Sequence, residues 1–138
     1  MNPEYHELQN ALLARIKRIP IVATLGLEIV RFSDGYCESR APRSLKYDGV
    51  FESFHGGLLM TIADSTACFA ILTRTGPDTR LTTTDMNIRF LAACLTDVIA
   101  KAQVIKFGRS LCPVAVDLFD QNGQQVAVAQ VTYMLLDH

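Results

Sequence analysis

The sequence has no excess of charge of either sign and no long uninterrupted apolar run. Its 13 Lys and Arg residues face 14 Asp and Glu residues, for a net charge of -1, so the basic excess typical of nucleic-acid-binding proteins is missing. No uninterrupted apolar run reaches the roughly 18 residues that span a bilayer, and the polar N-terminus lacks the layout of a signal peptide. We therefore expect a cytoplasmic protein that binds neither nucleic acid nor a membrane.

Closely spaced cysteines are also missing. The four cysteines are scattered along the chain, at Cys37, Cys68, Cys94 and Cys112. This spacing is not that of a metal site, and a disulfide framework is unusual in a chain with so large an apolar fraction. We interpret the cysteines as reduced, buried thiols and expect no bound metal.

The composition fits one globular domain. The chain has 138 residues, of which 49% are hydrophobic and 20% charged, and this is enough for a single core. Because no repeat or linker divides the chain, we take residues 1–138 as one domain. Apolar residues at helical spacing between positions 4 and 18 predict an amphipathic helix that Pro20 ends. Residues 1–19 would then precede the core.

The remaining segments predict an α+β fold. Residues 25–32 and 36–40 are strand-like on either side of a Ser33-Asp34-Gly35 turn, which predicts a hairpin. Residues 57–72 lack proline and are apolar on almost every face, which is typical of a buried helix. Four later segments rich in β-branched or aromatic residues predict strands at 82–90, 98–106, 114–119 and 126–135. This order predicts an antiparallel meander of about six strands with one long helix against it.

Asp64 stands out within the apolar helical segment. A carboxylate in apolar surroundings is costly unless it is paired or hydrogen-bonded, and no Lys or Arg stands three or four residues away on either side. Burial raises the pKa of a carboxyl group, which suits a general base or a nucleophile near neutral pH. The alternative is a structural carboxylate that accepts hydrogen bonds from Ser or Thr hydroxyls elsewhere in the chain.

His55, Gly56 and Gly57 stand at the start of the same helical segment. Free N–H groups at a helix N-terminus stabilise negative charge, and glycines allow a ligand to approach the backbone closely. An oxyanion hole for a carbonyl group requires both properties. The alternatives are an ordinary loop-to-helix junction for the glycines and a capping or packing role for His55.

The spacing of Gly57 and Asp64 predicts a dimer. They are seven residues apart, so they face almost the same side of the helix but lie roughly 10 Å apart along its axis. One helix therefore cannot easily bring both groups to one carbonyl. Two antiparallel copies of the helix would place Gly57 of one chain beside Asp64 of the other, with the sites at the interface.

Three motifs together resemble a known family. Phe54-His55-Gly56-Gly57, followed by Ile62-Ala63-Asp64 and then by Thr84-Asp85-Met86-Asn87-Ile88, is similar to the hotdog-fold acyl-CoA thioesterases of the phenylacetate-degradation (PaaI) type. The resemblance covers about residues 20–136. It implies a long central helix wrapped by a curved antiparallel sheet, in homodimers or dimers of dimers. It also implies an acyl-CoA substrate and no separate cofactor, since coenzyme A is part of the substrate.

The resemblance assigns catalytic roles to four residues. Asp64 matches the carboxylate that activates water or attacks the thioester directly. Gly57 matches the residue whose backbone N–H polarises the thioester carbonyl, and His55 the residue that shapes the helix entrance. Thr83 falls where many members have a Ser or Thr near the attacking water.

The resemblance also places substrate-binding residues. The Gly108-Arg109-Ser110 turn falls where family members often hold the coenzyme A nucleotide, and Lys106 and Arg109 are suited to its phosphates. Gly49 and Gly56 are further candidates at the helix entrance. By their apolar character, Phe54, Met60 and Phe90 are candidates for the lining of an acyl pocket, with the hydrophobic core as the equal alternative. The chain departs from the pattern at Gly49, where many relatives carry an Asn that orients the reacting groups, and at Glu52, where a small residue is common.

The sequence therefore predicts a thioester hydrolase acting on an apolar acyl-CoA, either aryl or medium-chain. One alternative is a hotdog hydratase or dehydratase, which needs a histidine base on the acyl chain. His55 is the only histidine outside the termini, and its position at a glycine-rich helix start does not fit that role. The other alternative is a non-catalytic acyl-CoA-binding protein, for which an intact Asp64 is unnecessary.

Overall fold

The structure is a computed structural model that describes residues 3–136. Two short N-terminal helices precede a sheet of six strands, and a long helix lies between the second and third strands. In chain order the elements are α1 (Pro3–Lys17), α2 (Pro20–Leu25), β1 (Glu28–Ser33), β2 (Tyr36–Ala41), a 3-10 turn (Leu45–Tyr47), α3 (Gly56–Thr75), β3 (Leu81–Phe90), β4 (Val98–Val104), β5 (Leu111–Asp120) and β6 (Gln125–Leu135).

The six strands form one antiparallel sheet in the order β1-β2-β4-β5-β6-β3. The sheet curves around α3, which contacts every strand. The predicted α+β hotdog arrangement is therefore confirmed. The predicted simple meander is wrong for β3. This strand lies at the edge of the sheet, paired only with β6, while β2 pairs directly with β4, because α3 and the connection after it carry the chain across to the far edge.

The composition of α3 explains why it occupies the centre. Ile62, Ala67 and Ala70 are fully buried, and the small alanines allow the sheet to approach the helix closely. A buried hydrogen bond of 2.6 Å between the hydroxyls of Thr66 and Ser39 ties α3 to β2. Among the described residues, α3 alone is long and apolar enough to cross a bilayer, and 56% of that stretch is buried inside the fold.

The N-terminal region differs from the sequence prediction in one respect. The amphipathic helix is confirmed as α1, but Pro20 also begins a second helix, α2, in residues expected to lead into a strand. Proline is well suited to the first turn of a helix because its missing N–H would have no partner there. Gly26, with a φ of 65°, ends α2 in the left-handed conformation that glycine adopts readily. The first strand consequently begins only at Glu28.

β5 begins earlier than predicted, at Leu111, and therefore includes Pro113. Proline has no N–H to donate, but its carbonyl accepts a hydrogen bond of 2.8 Å from the N–H of Ile105. The connection from β4 to β5 is tight, because a side chain at Gly108 would overlap the carbonyl oxygen of Leu111. Glycine is therefore required at position 108 by the fold itself.

All four cysteines are free, as expected: Cys37, Cys94 and Cys112 are buried, and Cys68 is half-buried. No group of three or more His, Cys, Asp or Glu side chains within residues 3–136 is arranged to hold a metal ion.

Candidate active site

Two hydroxyl groups hold the carboxylate of Asp64, two turns into α3. The hydroxyl of Thr83 donates a hydrogen bond of 2.7 Å to Asp64 Oδ1. The hydroxyl of Tyr133 lies 2.7 Å from the same oxygen and 2.9 Å from the main-chain carbonyl oxygen of Asp64. Asp64 is therefore tethered from the sheet side at a single carboxylate oxygen.

The pairing of β3 with β6 explains this convergence. Thr83 and Tyr133 are directly opposite each other in the two strands, and side chains of such a pair lie on the same face of the sheet. The regular register is interrupted just after Thr83, between Thr83 and Asp85. Bulges of this kind often re-aim side chains next to active sites.

The hydrogen bonds leave Asp64 with one free oxygen. Burial is the main factor that raises the pKa of Tyr133, so its phenol stays protonated and remains a donor. In the described part of the chain, no group donates to Asp64 Oδ2, and the residue is only half-buried. The arrangement can therefore present Oδ2 to a water molecule or to an electrophile.

The surroundings of Asp64 differ from the apolar setting expected from the sequence. A Thr hydroxyl, that of Thr83, donates to the carboxylate, which is what a purely structural role of Asp64 would require. One carboxylate oxygen nevertheless remains free. Tyr133 was missed because it is 69 residues from Asp64 in the chain. Only the strand register brings the two together, and no local motif marks it.

His55 caps the N-terminus of α3. Its Nδ1 accepts a hydrogen bond of 2.9 Å from the N–H of Gly57, so the capping interpretation of this histidine is confirmed. The N–H expected to polarise a carbonyl is thus already paired within the chain. His55 is exposed, so the core does not enclose its imidazole.

Gly56 and Phe90 lie together at the same end of α3. A side chain added at Gly56 would come within 3.0 Å of the Phe90 ring, so glycine permits this close packing. The two ends of β3 therefore meet different parts of the site. Thr83, near its beginning, contacts Asp64, and Phe90, at its end, lies beside the helix entrance.

The family model of the thioesterase superfamily matches residues 51–127, from the loop before α3 into β6. This stretch is more than half of the chain and includes His55, Gly57, Asp64 and Thr83. The chain belongs to the thioesterase superfamily.

Solved structures carry the same fold. Conserved protein PA5202 from Pseudomonas aeruginosa is 26% identical, with a TM-score of 0.82, over 88% of this chain and 97% of that one. A thioesterase family protein from Silicibacter pomeroyi is 22% identical, with a TM-score of 0.87, over 95% and 99% of the two chains. The E. coli PaaI protein of the phenylacetic acid degradation operon is 18% identical, with a TM-score of 0.87, over 96% of each chain. A comparison with curated proteins found no match.

The resemblance to hotdog thioesterases drawn from the sequence motifs is thus confirmed in family and in fold. Arg43 organises the loop that leads into α3. Arg43 donates to both carboxylate oxygens of Asp48, at 3.2 and 2.6 Å, and to the main-chain carbonyls of Glu52 and Leu95, each at 2.7 Å. The hydrogen bonds from Arg43 lower the pKa of Asp48, which keeps the pair ionised.

Gly49, the first of the two departures noted in the sequence, lies in this loop. Its N–H donates to the carbonyl of Ser53, at 2.9 Å, and it has no side chain to offer a substrate. Glu52, the other departure, has a φ of 58°, a left-handed conformation uncommon outside glycine and Asn. The bonds of Arg43 hold the backbone in this conformation, and sequence reasoning missed this role of Arg43.

The predicted coenzyme A residues lie at the opposite end of α3 from Gly57. The ring of Phe107 in the β4–β5 turn stacks 3.8 Å from the guanidinium of Arg74, in the last turn of α3. Gly57 and Arg74 are roughly 26 Å apart along the helix axis at 1.5 Å per residue. Within one chain the structure therefore does not bring Lys106, Gly108, Arg109 and Ser110 to the helix entrance, although Lys106 and Arg109 are exposed.

The two remaining predicted residues, Phe54 and Met60, do not line the groove at the helix entrance. Phe54 is buried in the core and Met60 is half-buried on α3. A groove of about 350 Å³ passes beside Gly57 and is lined by Lys46, Tyr47, Asp48, His55, Gly57 and Leu58. Lys46 and Tyr47 were not among the predicted residues, because the 3-10 turn that carries them has no distinctive motif.

Replacing His55 tests its capping role. His55→Ala is expected to lower the free energy of unfolding by about 1 kcal/mol, because Gly57 N–H loses its partner. His55→Asn should restore most of this loss, since Asn is a good N-cap. Urea unfolding measures both variants, with His6→Ala, an exposed histidine on α1, as the control. Equal stability of His55→Ala and the control would contradict the capping role.

Proposed function

We propose that this chain is an acyl-CoA thioesterase that hydrolyses an apolar acyl-CoA, aryl or medium-chain, to the free acid and coenzyme A. The observation that carries the proposal is the Asp64 carboxylate, which is anchored at Oδ1 by two hydroxyls while Oδ2 is free. The chain's place in the thioesterase superfamily supports the same reaction.

In the proposed reaction, Asp64 Oδ2 removes a proton from a water molecule as that water attacks the thioester carbon. A C–O bond forms and the carbonyl becomes an oxyanion. When the carbonyl reforms, the C–S bond breaks, and the thiolate leaves and takes up the proton. In direct attack, Asp64 Oδ2 would instead bond to the thioester carbon, the C–S bond would break and the thiolate would leave, so that a mixed anhydride forms. Water then cleaves the anhydride to the free acid and the Asp64 carboxylate and supplies the proton that the thiolate takes up. In either route, the hydroxyls of Thr83 and Tyr133 hold the carboxylate in one orientation.

The N–H of Gly57 is the proposed donor to the oxyanion, at the positive end of the α3 dipole. His55 occupies this donor in the free chain, so substrate binding exchanges the imidazole for the thioester carbonyl. This exchange keeps the helix end paired in both states.

The structure supports the proposed dimer through two features. β3 is an edge strand of 10 residues, and such an edge readily pairs with another chain. The side of α3 that is less buried carries Gly57, Thr61, Asp64, Ser65 and Cys68. Antiparallel pairing of two β3 strands would put the Thr83 end of one beside the Phe90 end of the other. Asp64 of one chain would then approach Gly57 of its partner.

The proposed coenzyme A contacts fit the same arrangement. The β4–β5 turn is closer along α3 to Asp64, roughly 15 Å, than to Gly57. We therefore assign Lys106 and Arg109 to the subunit that supplies Asp64, where their charges would face the phosphates of coenzyme A.

Asp64→Asn tests the catalytic role. We expect kcat on acyl-CoA substrates to fall about 10³-fold, since a positioned general base contributes on this scale. The fold should persist because the amide oxygen still accepts from Thr83 and Tyr133. Asp117→Asn, at an exposed acid on β5 away from the proposed dimer edge, is the matched control and should keep full activity. A kcat of Asp64→Asn within tenfold of wild type would refute the proposal, and acyl-CoA binding by a wild type without turnover would indicate a binding protein.

Mixing two inactive variants tests the shared site. Gly57→Pro removes the N–H at a helical position that tolerates proline, while Asp64→Asn removes the base. If each site combines Gly57 of one chain with Asp64 of the other, random exchange of subunits should restore about one quarter of wild-type activity, from one intact site per mixed dimer. No recovery, with mixed dimers verified by mass spectrometry, would show that both groups act within one chain.

A further inference from the structure

A cavity of about 440 Å³ lies between α1, α3 and the connection from α3 to β3. Its inner wall consists of apolar side chains and one thiol: Ile16, Ile19, Cys68, Phe69, Leu72 and Leu81. Ile16 and Phe69 are each 2% exposed, so the wall belongs to the packed core. None of the roles proposed so far uses this cavity.

The cavity lies directly beside the Asp64 site. Cys68 follows Asp64 by one helical turn, and residues four apart on a helix lie on the same face. Leu81 precedes Thr83 by two residues on β3, so its side chain points to the same face of the sheet as that of Thr83. α3, which carries Asp64, and β3, which carries Thr83, therefore continue from the Asp64 site into two walls of the cavity.

The interior of the cavity is uncharged. Burial, with a smaller contribution from the charge of Asp64, raises the pKa of the Cys68 thiol to about 12, so this side chain stays protonated. The charged side chains Arg15, Asp78 and Arg80 also line the cavity but are exposed, and therefore lie at its mouth. The cavity is open to solvent on the side of the α3–β3 connection, where Pro77 and Thr79 also line it. Its volume exceeds the roughly 150 Å³ that suffices for benzene in an apolar cavity, so an aryl ring or a medium-length alkyl chain fits against the apolar inner wall.

We propose that this cavity binds the acyl group of the substrate and that α1, together with Ile19 just after it, forms the wall that limits acyl length. The inference rests on the proposed thioesterase function, because it takes the reacting carbonyl to lie at Asp64. The acyl group would run from Asp64 past Cys68 towards Leu72, roughly 12 Å along α3. α1 and Ile19 lie outside residues 51–127, which the superfamily model matches, so the family match itself does not describe this wall.

Ile19 provides the test because it lines the cavity and is only half-buried. Each variant is made in the Asp64→Asn background, and calorimetry measures Kd for acetyl-, butyryl-, hexanoyl-, octanoyl-, decanoyl- and benzoyl-CoA. With Ile19→Phe, the longest acyl groups should lose about fourfold in affinity for each methylene no longer accommodated, while acetyl-CoA is unaffected. Ile19→Ala should shift the preference towards longer chains. The control is Ile21→Phe, a residue of α2 that is 41% exposed.

The outcomes separate this inference from the proposed function. If the chain-length profile of both Ile19 variants matches that of Ile21→Phe, the cavity does not bind the acyl group, whether or not the enzyme is active. If wild type hydrolyses none of these thioesters but the Ile19 variants still shift the binding profile, the cavity assignment stands and the hydrolase proposal fails. If no acyl-CoA binds to any variant, both are overturned.

Discussion

Burial of α3 against six strands is the constraint on which the rest of the structure depends. Residues such as Ile62, Ala67 and Ala70 are fully buried, and an apolar helix of this kind is stable in water only when a sheet surrounds most of its faces. The curved antiparallel sheet satisfies this requirement except along one side. The less buried residues of α3, among them Gly57, Asp64 and Cys68, lie on that side.

This constraint also determines where a charge can be placed. At most positions of α3 a carboxylate would be buried among aliphatic side chains, at a cost of several kcal/mol. Asp64 avoids this cost because it faces the ends of β3 and β6, where Thr83 and Tyr133 provide hydroxyl donors. The same placement leaves Oδ2 open. Anchoring and exposure of one carboxylate thus follow from the position of the helix relative to the sheet.

The sequence was most informative where the pattern is local. The continuous apolar character of α3, the glycine-rich helix entrance and the isolated Asp64 are all visible within 57–72 or just before it. These features predicted the central helix of the fold and pointed to Asp64 as the centre of the candidate site. Contacts between distant parts of the chain were not visible. Tyr133 reaches Asp64 only through the pairing of β3 with β6, and Arg43 acts through main-chain carbonyls of residues that no motif marks.

The N-terminal region shows a different limit. Ile21, Val22 and Leu25 have strand-like composition, yet Pro20 and Gly26 delimit a short helix there, because a proline start and a glycine end outweigh weak local propensity. The role of His55 likewise depends on its three-dimensional surroundings. Its sequence position suggests a role at the helix entrance, but only the structure shows that its imidazole already holds the N–H of Gly57.

The central claim is that two hydroxyls orient Asp64 for chemistry, and a double-mutant cycle of Thr83→Val and Tyr133→Phe tests it most directly. Steady-state kinetics on a hydrolysed acyl-CoA should show that each single change lowers kcat about tenfold with little change in KM. This loss is the size expected for one hydrogen bond to a charged group. Because both donors share one oxygen, the double variant should depart from the product of the single effects. A double variant with reduced thermal stability but a kcat within twofold of wild type would contradict the account.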